Sequence, residues 1–267
     1  MRVGKELRIN YYVEPDAAAL ARRATQYFVE MASEAVEAQG RVRIAISGGA
    51  TPQTAFELLA DPSEPWRARM PWEKLEVYWV DERNVAPDDP GSNYGMTRDA
   101  LLANVPLQPR QIHRIEGELE PEIAAARYES ELRNSFRLEG AEMPRFDLVA
   151  LGMGLDGHTA SLFPHTEGLH ELGRLAVANH VPQQDTWRIS LTWPVINRAH
   201  SVFFLVAGAE KAAILKEVFT GSRDPERLPS QLIRPVSGIL TLILDKAAAA
   251  LLPATDEEGC GVLEIER

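Results

Sequence analysis

Short apolar runs alternate with longer stretches of helical spacing along nearly the whole of this chain, and few folds accommodate that order. The runs at residues 42–46, 76–80, 146–151, 201–207 and 239–244 are brief and largely apolar, as buried strands are. Residues 7–13 and 188–192 alternate as further strands. Residues 16–38 place Leu20, Ala24, Phe28, Met31 and Val36 near helical spacing, and Gly40 supplies a C-terminal stop. Further helices are expected after Thr51, from Ser92-Asn93 to Leu102, over 122–137, after Gly208 and over 245–252. Strands and helices taking turns predict an α/β fold: a mostly parallel sheet with helices on both faces. No repeat or linker divides the 267 residues, so a single domain over 1–267 is expected. Residues 61–71 read as a surface loop, 165–180 as loop and short structure, and the acidic last residues as frayed.

Charge narrows the partners. The formal net charge is −11, which argues against nucleic acid and against an anionic membrane, since both need a basic face. An anionic substrate would then require positive potential supplied locally. The single cysteine, Cys260, allows no intrachain disulfide and no cysteine metal cage, which fits a reducing compartment. Met1-Arg2-Val3-Gly4-Lys5-Glu6 has no apolar core behind it and reads as neither signal peptide nor membrane span, so a cytoplasmic protein is expected.

Chemistry concentrates where strands end. Val42 to Ile46 runs directly into Ser47-Gly48-Gly49-Ala50-Thr51-Pro52, with Thr51 the expected N-cap and Pro52 suited to the first turn. Such a turn aims several backbone N–H groups at one point, which attracts an anion, typically phosphate; the alternative is a glycine turn serving packing alone. The next strand ends in Asp81-Glu82-Arg83, either a solvated edge or part of a site. Leu148 to Leu151 breaks into Gly152-Met153-Gly154-Leu155-Asp156-Gly157-His158, three glycines in six positions with an Asp and a His two residues apart. A strand that ends this way is how an open α/β sheet builds a site at its carboxyl edge; a tight turn with a solvated Asp and a packed His is the plain alternative. Lys211, after Gly208-Ala209-Glu210, sits at the positive end of a helix dipole, tolerable if exposed and useful if it holds an anion. His113 reads as structural, and His165, His170 and His180 as loop or surface residues.

The chain resembles the 6-phosphogluconolactonases of the pentose phosphate pathway. The resemblance rests on Ser47 to Pro52, Val80-Asp81-Glu82-Arg83, Ser92-Asn93-Tyr94, Gly152 to Pro164 and Gly208 to Lys211, which occur in that family's order across nearly the whole length. Ala50 stands where the family usually has serine, which leaves the anion contact there to the backbone. The wider superfamily, built on a modified Rossmann-like sheet, includes the glucosamine-6-phosphate deaminases. Those carry an aromatic residue at the position of Arg83, and Ala-Phe-Asn-Glu-Pro where this chain has Ala160-Ser161-Leu162-Phe163-Pro164. Both differences favour the lactonases.

The resemblance implies a glucosamine-6-phosphate deaminase-like fold and hydrolysis of a sugar phosphate lactone, a small-molecule partner. It makes His158 the base that takes a proton from water, with Asp156 either orienting the imidazole or only shaping the loop. Backbone N–H groups of residues 152–157, at Gly154 and Gly157, are candidate oxyanion donors. Ser47, Gly48, Gly49, Thr51 and Asn93 are expected around the phosphate, with Arg83, Arg188 and Lys211 as cations; Arg83 can clamp phosphate or approach the carbonyl. No cofactor and no metal are implied: His158 has no second His or Cys at ligand spacing, and Gly152-Met153-Gly154 lacks the third glycine of a dinucleotide fingerprint. A monomer or small homo-oligomer is expected. Two other functions fit the fold. One is an amino-sugar phosphate isomerase/deaminase, disfavoured by Arg83 and Ser161-Leu162-Phe163. The other is a non-catalytic sugar-phosphate sensor, which would keep Ser47, Gly48, Gly49 and Lys211 without needing His158.

Overall fold

The computed structural model describes residues 6–266; Arg267 and the leading segment 1–5, read above for a signal peptide or membrane span, lie outside the described residues. Strand β1 (Glu6–Glu14) leads to Asp16, whose carboxylate accepts the Ala19 N–H and caps α1 (Ala17–Gln39). Gly40, at φ 75°, closes that helix with its N–H on the Val36 carbonyl, a conformation that costs a glycine little. Then follow β2 (Val42–Ile46), α2 (Ala50–Ala60), α3 (Pro65–Arg69), β3 (Leu75–Trp79), β4 (Asp81–Arg83), α4 (Asn93–Ala100), β5 (Ile112–His113) and α5 (Pro121–Phe136). The second half comprises β6 (Leu148–Leu151), β7 (Ala176–Val181), β8 (Thr186–Leu191), α6 (Trp193–Ile196), β9 (Ser201–Val206), α7 (Ala212–Thr220), β10 (Ile239–Asp245) and β11 (Cys260–Glu266). No helix among the described residues is long and apolar enough to cross a membrane.

The main sheet has eight strands in the order β11-β1-β10-β9-β6-β2-β3-β5, all parallel except β11, which runs antiparallel to β1. Helices flank it, as the alternating pattern predicts. The apolar stripe of α1 lays Phe28 edge-on against Phe203 of β9, ring centres 5.3 Å apart, and against Phe56 of α2 at 5.9 Å. Tyr78, Phe136 and Phe146 form a second aromatic cluster, with His113 stacked on Tyr78 at 4.2 Å and bonded through Nδ1 to Glu131 at 2.6 Å. That contact is the structural role expected of His113.

Topology explains where a ligand can go. From β2 the chain adds β3 and β5 on one side, then returns to place β6 on the other side of β2 and adds β9 and β10 toward β1. The carboxyl ends of β2 and β6 therefore lie side by side while their loops leave in opposite directions. In open α/β sheets such a switch point leaves a crevice beyond the strand ends.

Four expectations need correction. Residues 61–71 are not simply loop, because Pro65 starts α3. Residues 246–252 form turns rather than a helix: the Asp245 carboxylate takes the Ala248 and Gly208 N–H groups, one four-residue backbone bond from Ala249 is followed by three-residue bonds from Ala250 and Leu252, and Pro253 stops propagation. The acidic terminus is β11, which pairs with β1, buries Leu263 and is itself the edge strand of the sheet. Finally, residues 176–181 are a strand rather than loop, and residues 81–83, read as the end of the preceding strand, leave it; both join β8 in a three-stranded antiparallel sheet, order β4-β8-β7. Asn179 and His180 interrupt the apolar pattern of β7 and conceal it in the sequence.

Candidate active site

The phosphate half begins at the end of β2. Helix α2 starts at Ala50, one residue before the expected cap, because Gly49 turns the chain early at φ 116°, a backbone conformation closed to ordinary side chains. Thr51 is therefore a first-turn residue, and no side chain caps the helix. The early N–H groups of a helix have no intrahelical acceptor. Ser47, Gly48, Gly49, Ala50, Thr51 and Pro52 all line a cleft of about 330 Å³, so this uncapped end opens on it. The Ser47 hydroxyl donates to the Ala150 carbonyl at 2.9 Å, tying the β2 loop to β6. Its one proton is thereby occupied, so its remaining donor is backbone N–H. Asn93 donates to the Asp81 carbonyl at 2.9 Å, and a Cβ on Gly48 would collide with its carboxamide, which explains why glycine is required there.

The cations come from the small sheet. Antiparallel register pairs Arg83 of β4 with Arg188 of β8, placing two guanidinium groups on the same cleft. Arg83 Nη1 donates to the Gly91 carbonyl and Arg188 Nη2 to Gln184 Oε1, each at 2.6 Å, while the buried Nε of both has no protein partner. Burial pushes the Arg188 guanidinium below its usual range and the neighbouring Arg83 adds to that, opposed by Asp81 and Glu82. Two half-buried like charges, each with a buried and unpartnered Nε–H, form an unfavourable arrangement that an anion would relieve. This is the local positive potential that a chain of net charge −11 has to supply. Lys211 also lines the cleft and donates Nζ–H to the Met153 carbonyl at 2.8 Å. Glu82, by contrast, is scaffold: it accepts the N–H groups of Arg83, Asn93 and Tyr94, each at 2.7 Å, and holds the start of α4 beneath the site.

The reactive half is the loop after β6. Asp156 Oδ1 lies 2.6 Å from His158 Nδ1 and accepts the His158 backbone N–H at 3.2 Å, so Asp156 both orients the ring and shapes the loop. With Nδ1 engaged, Nε2 is the nitrogen left for chemistry, and His158 lines the cleft. Burial alone would raise the Asp156 carboxyl, but the His158 ring and backbone outweigh it and hold the carboxyl below its usual range. Phe163 stacks on the imidazole at 4.0 Å, with the Arg188 guanidinium carbon 6.0 Å from the centre of the same ring.

Of the loop amides expected to meet an oxyanion, those of Gly154 and Gly157 are already engaged. The Gly154 N–H donates to the His158 carbonyl at 2.9 Å and the Gly157 N–H to the Gly154 carbonyl at 3.2 Å, so both amides close the loop on itself. Gly157, at φ 77°, packs on Leu228 away from the cleft lining. Gly154 has a different importance, since a Cβ there would collide with both the His158 ring and the Asp156 carboxylate. Gly154→Ala is expected to lower kcat by about 10²-fold, the scale of a one-ångström misplacement, with the thermal midpoint little changed; steady-state kinetics and calorimetry check it.

Gln184 lines the cleft without having been singled out from the sequence, and Asp81, Ser161 and Phe163, quoted there only as members of motifs, line it as well. Ser161 Oγ donates to Asp81 Oδ2 at 2.6 Å, and the pair is buried. It latches the His158 loop to the strand that carries Arg83. Ala160, at φ 50°, turns Ser161 inward at a cost of about 1–3 kcal/mol. Ser161→Ala leaves the buried carboxylate short of a donor and is expected to destabilise the protein by about 1–3 kcal/mol, measured by denaturant unfolding. Only tertiary contact shows this latch, because 80 residues separate the two side chains. Among the described residues no three His, Cys, Asp or Glu side chains are grouped to hold a metal ion.

Comparison with known proteins identifies the family. A family model described as glucosamine-6-phosphate isomerases/6-phosphogluconolactonase matches residues 15–242. A 6-phosphogluconolactonase of Nostoc sp. is 42% identical over 241 residues, 90% of this chain and 97% of the relative. One from Haemophilus influenzae is 37% identical over 91% of this chain and all of its own length. The solved 6-phosphogluconolactonase of Trypanosoma cruzi superposes with a TM-score of 0.81 at 28% identity, covering 95% of this chain and 100% of that one. With Arg83 in place and the 152–164 loop folded around His158, the chain belongs to the glucosamine-6-phosphate isomerase/6-phosphogluconolactonase family.

Proposed function

We propose that this chain hydrolyses 6-phospho-D-glucono-1,5-lactone to 6-phospho-D-gluconate in the oxidative pentose phosphate pathway, through water activated by His158 and without a metal ion. The names of its relatives support the substrate. The observation that carries the mechanism is the 2.6 Å Asp156–His158 pair on the same cleft as the paired Arg83 and Arg188. The phosphate docks on the two guanidinium groups and the uncapped start of α2. His158 Nε2 takes a proton as the water oxygen bonds to the lactone carbonyl carbon, and the carbonyl oxygen becomes an oxyanion. The loop amides of Gly154 and Gly157 being occupied, Lys211 is the group suited to meet that oxyanion: one of its three N–H bonds holds Met153 and two remain. Collapse breaks the bond to the ring oxygen, which receives the proton from His158 Nε2. Asp156 holds Nδ1–H throughout and stabilises the imidazolium.

Ser47, Gly49, Thr51 and Asn93 frame the phosphate in this reading, Ser47 and Thr51 through backbone N–H. A cytoplasmic setting is supported by the single cysteine, Cys260, which fits a reducing compartment. Lactone hydrolysis by purified protein, followed against the spontaneous background, tests the proposal; a rate no faster than background overturns it. Treatment with a chelator is expected to leave the rate unchanged, and a loss restored by a divalent ion would overturn the metal-free step.

A further inference from the structure

Arg188 is held in the cleft by an amide and not by an acid. Its Nη2–H donates to Gln184 Oε1 at 2.6 Å, and among the described residues no carboxylate forms an ion pair with it. The acids whose charge reaches Arg188 are Asp81 and Glu82, and both are engaged elsewhere. Asp81 takes the Ser161 hydroxyl, and Glu82 takes three backbone N–H groups. A guanidinium only donates, so the oxygen of the Gln184 carboxamide has to face it. The amide nitrogen of the same side chain then has no acceptor among the described residues, and Gln184 lines the cleft.

The turn between β7 and β8 produces this choice. Residues Pro182–Gln184 make one tight turn, closed by the Asp185 N–H on the Pro182 carbonyl at 3.3 Å. Asp185 reverses the chain at φ 46°, a region that Asp enters more readily than most residues. Its carboxylate is fully exposed, 3.9 Å from His180 Nε2. Of Gln183, Gln184 and Asp185, only Gln184 lines the cleft. The acid of the turn therefore stands in solvent while a neutral amide meets the arginine. A carboxylate in that place would hold the same Nη2–H in a stronger bond. It would also cancel the cation and set a like charge beside an incoming anion.

We propose that Gln184 is a positioning residue that sets specificity for a phosphorylated substrate. It fixes the Arg188 fork without neutralising it and turns its own N–H groups to the same phosphate. The substrate named here rests on the lactonase reading of the cleft.

Kinetics of Gln184→Glu, Gln184→Ala and Gln183→Glu on the phosphorylated and unphosphorylated lactones test this, with calorimetric titration of 6-phospho-D-gluconate. Gln184→Glu should raise KM for the phosphorylated lactone by about tenfold or more, keep kcat within about twofold, and weaken 6-phospho-D-gluconate to the same degree. Gln184→Ala should raise that KM by roughly three- to fivefold, through loss of the positioning bond. Neither should alter hydrolysis of glucono-1,5-lactone by more than about twofold, since that substrate has no charge to meet. The unfolding midpoint of Gln184→Glu should not fall, because the new carboxylate still accepts the Nη2–H. Gln183→Glu adds the same charge one residue away from the cleft lining and should keep KM within about twofold. Wild-type KM in Gln184→Ala overturns the proposal, as does an equal loss on both lactones or an equal rise in Gln183→Glu. A wild type that binds 6-phospho-D-gluconate about tenfold more tightly than Gln184→Glu, yet hydrolyses no lactone, would remove the lactonase reading and leave the role of Gln184 standing. No binding of 6-phospho-D-gluconate by the wild type would overturn both.

Discussion

Replacing His158 by alanine should lower kcat for the phosphorylated lactone by about 10²–10⁴-fold, the usual contribution of a positioned acid–base group, with KM within a few-fold of wild type. The split follows from geometry. The phosphate contacts proposed above arise from β4, β8 and the start of α2, none of which the truncation touches. Asp156→Asn should lower kcat as well, because the carboxylate fixes which imidazole nitrogen carries the proton. The pH behaviour has a definite sign. The Asp156 carboxyl is held below its usual range, so the folded chain binds fewer protons there than the unfolded one. The stabilisation is present above the ordinary carboxylate value of about 4 and is lost only as pH falls through the depressed one. Thermal midpoints of wild type and Asp156→Asn should therefore differ by a constant amount through neutral pH and converge in acid. A His158→Ala variant with full activity would remove His158 as the base.

The paired arginines should show their effect in KM. The double variant Arg83→Ala/Arg188→Ala is expected to raise KM for the phosphorylated lactone by about 10²–10⁴-fold, taking roughly 1.5–3 kcal/mol for each charge-assisted contact. Hydrolysis of the unphosphorylated glucono-1,5-lactone, which has no charge to meet, should change little. Stability should not fall and should rise, because two neighbouring half-buried cations with unpartnered Nε atoms are removed. Arg188→Lys should not restore KM, since an ammonium lacks the planar fork. Kinetics on both lactones, with unfolding curves for each variant, check these outcomes; an equal loss on both lactones would mean that the arginines do not hold the phosphate.

Much of the fold was legible because burial dictates composition. Val42 to Ile46 and Ser201 to Val206 are covered on both faces, and only apolar or tightly paired side chains survive there. The small sheet was not legible. β4 has three residues, and β7 carries Asn179 and His180, so neither presents a clean period. The alanine-rich run after Asp245 misled for the opposite reason: its intrinsic helix propensity is high, but Asp245 and Pro253 hold it in turns.

The candidate site divides along the same line. Local order in the sequence carries the Ser47-Gly48-Gly49 turn, the Asp156-Gly157-His158 spacing and the strand-end position of Arg83, since backbone geometry within a few residues depends on which side chains stand there; Arg188 lies inside β8 rather than at its end. Tertiary structure alone decides which groups are free to act. Ser47 and the amides of Gly154 and Gly157 are occupied by hydrogen bonds, while Nε of Arg83 and of Arg188 is not. Asp81 meets Ser161 across 80 residues of chain. Whether a donor is free depends on the partners that folding brings within about 3 Å, and those partners come from strands distant in sequence.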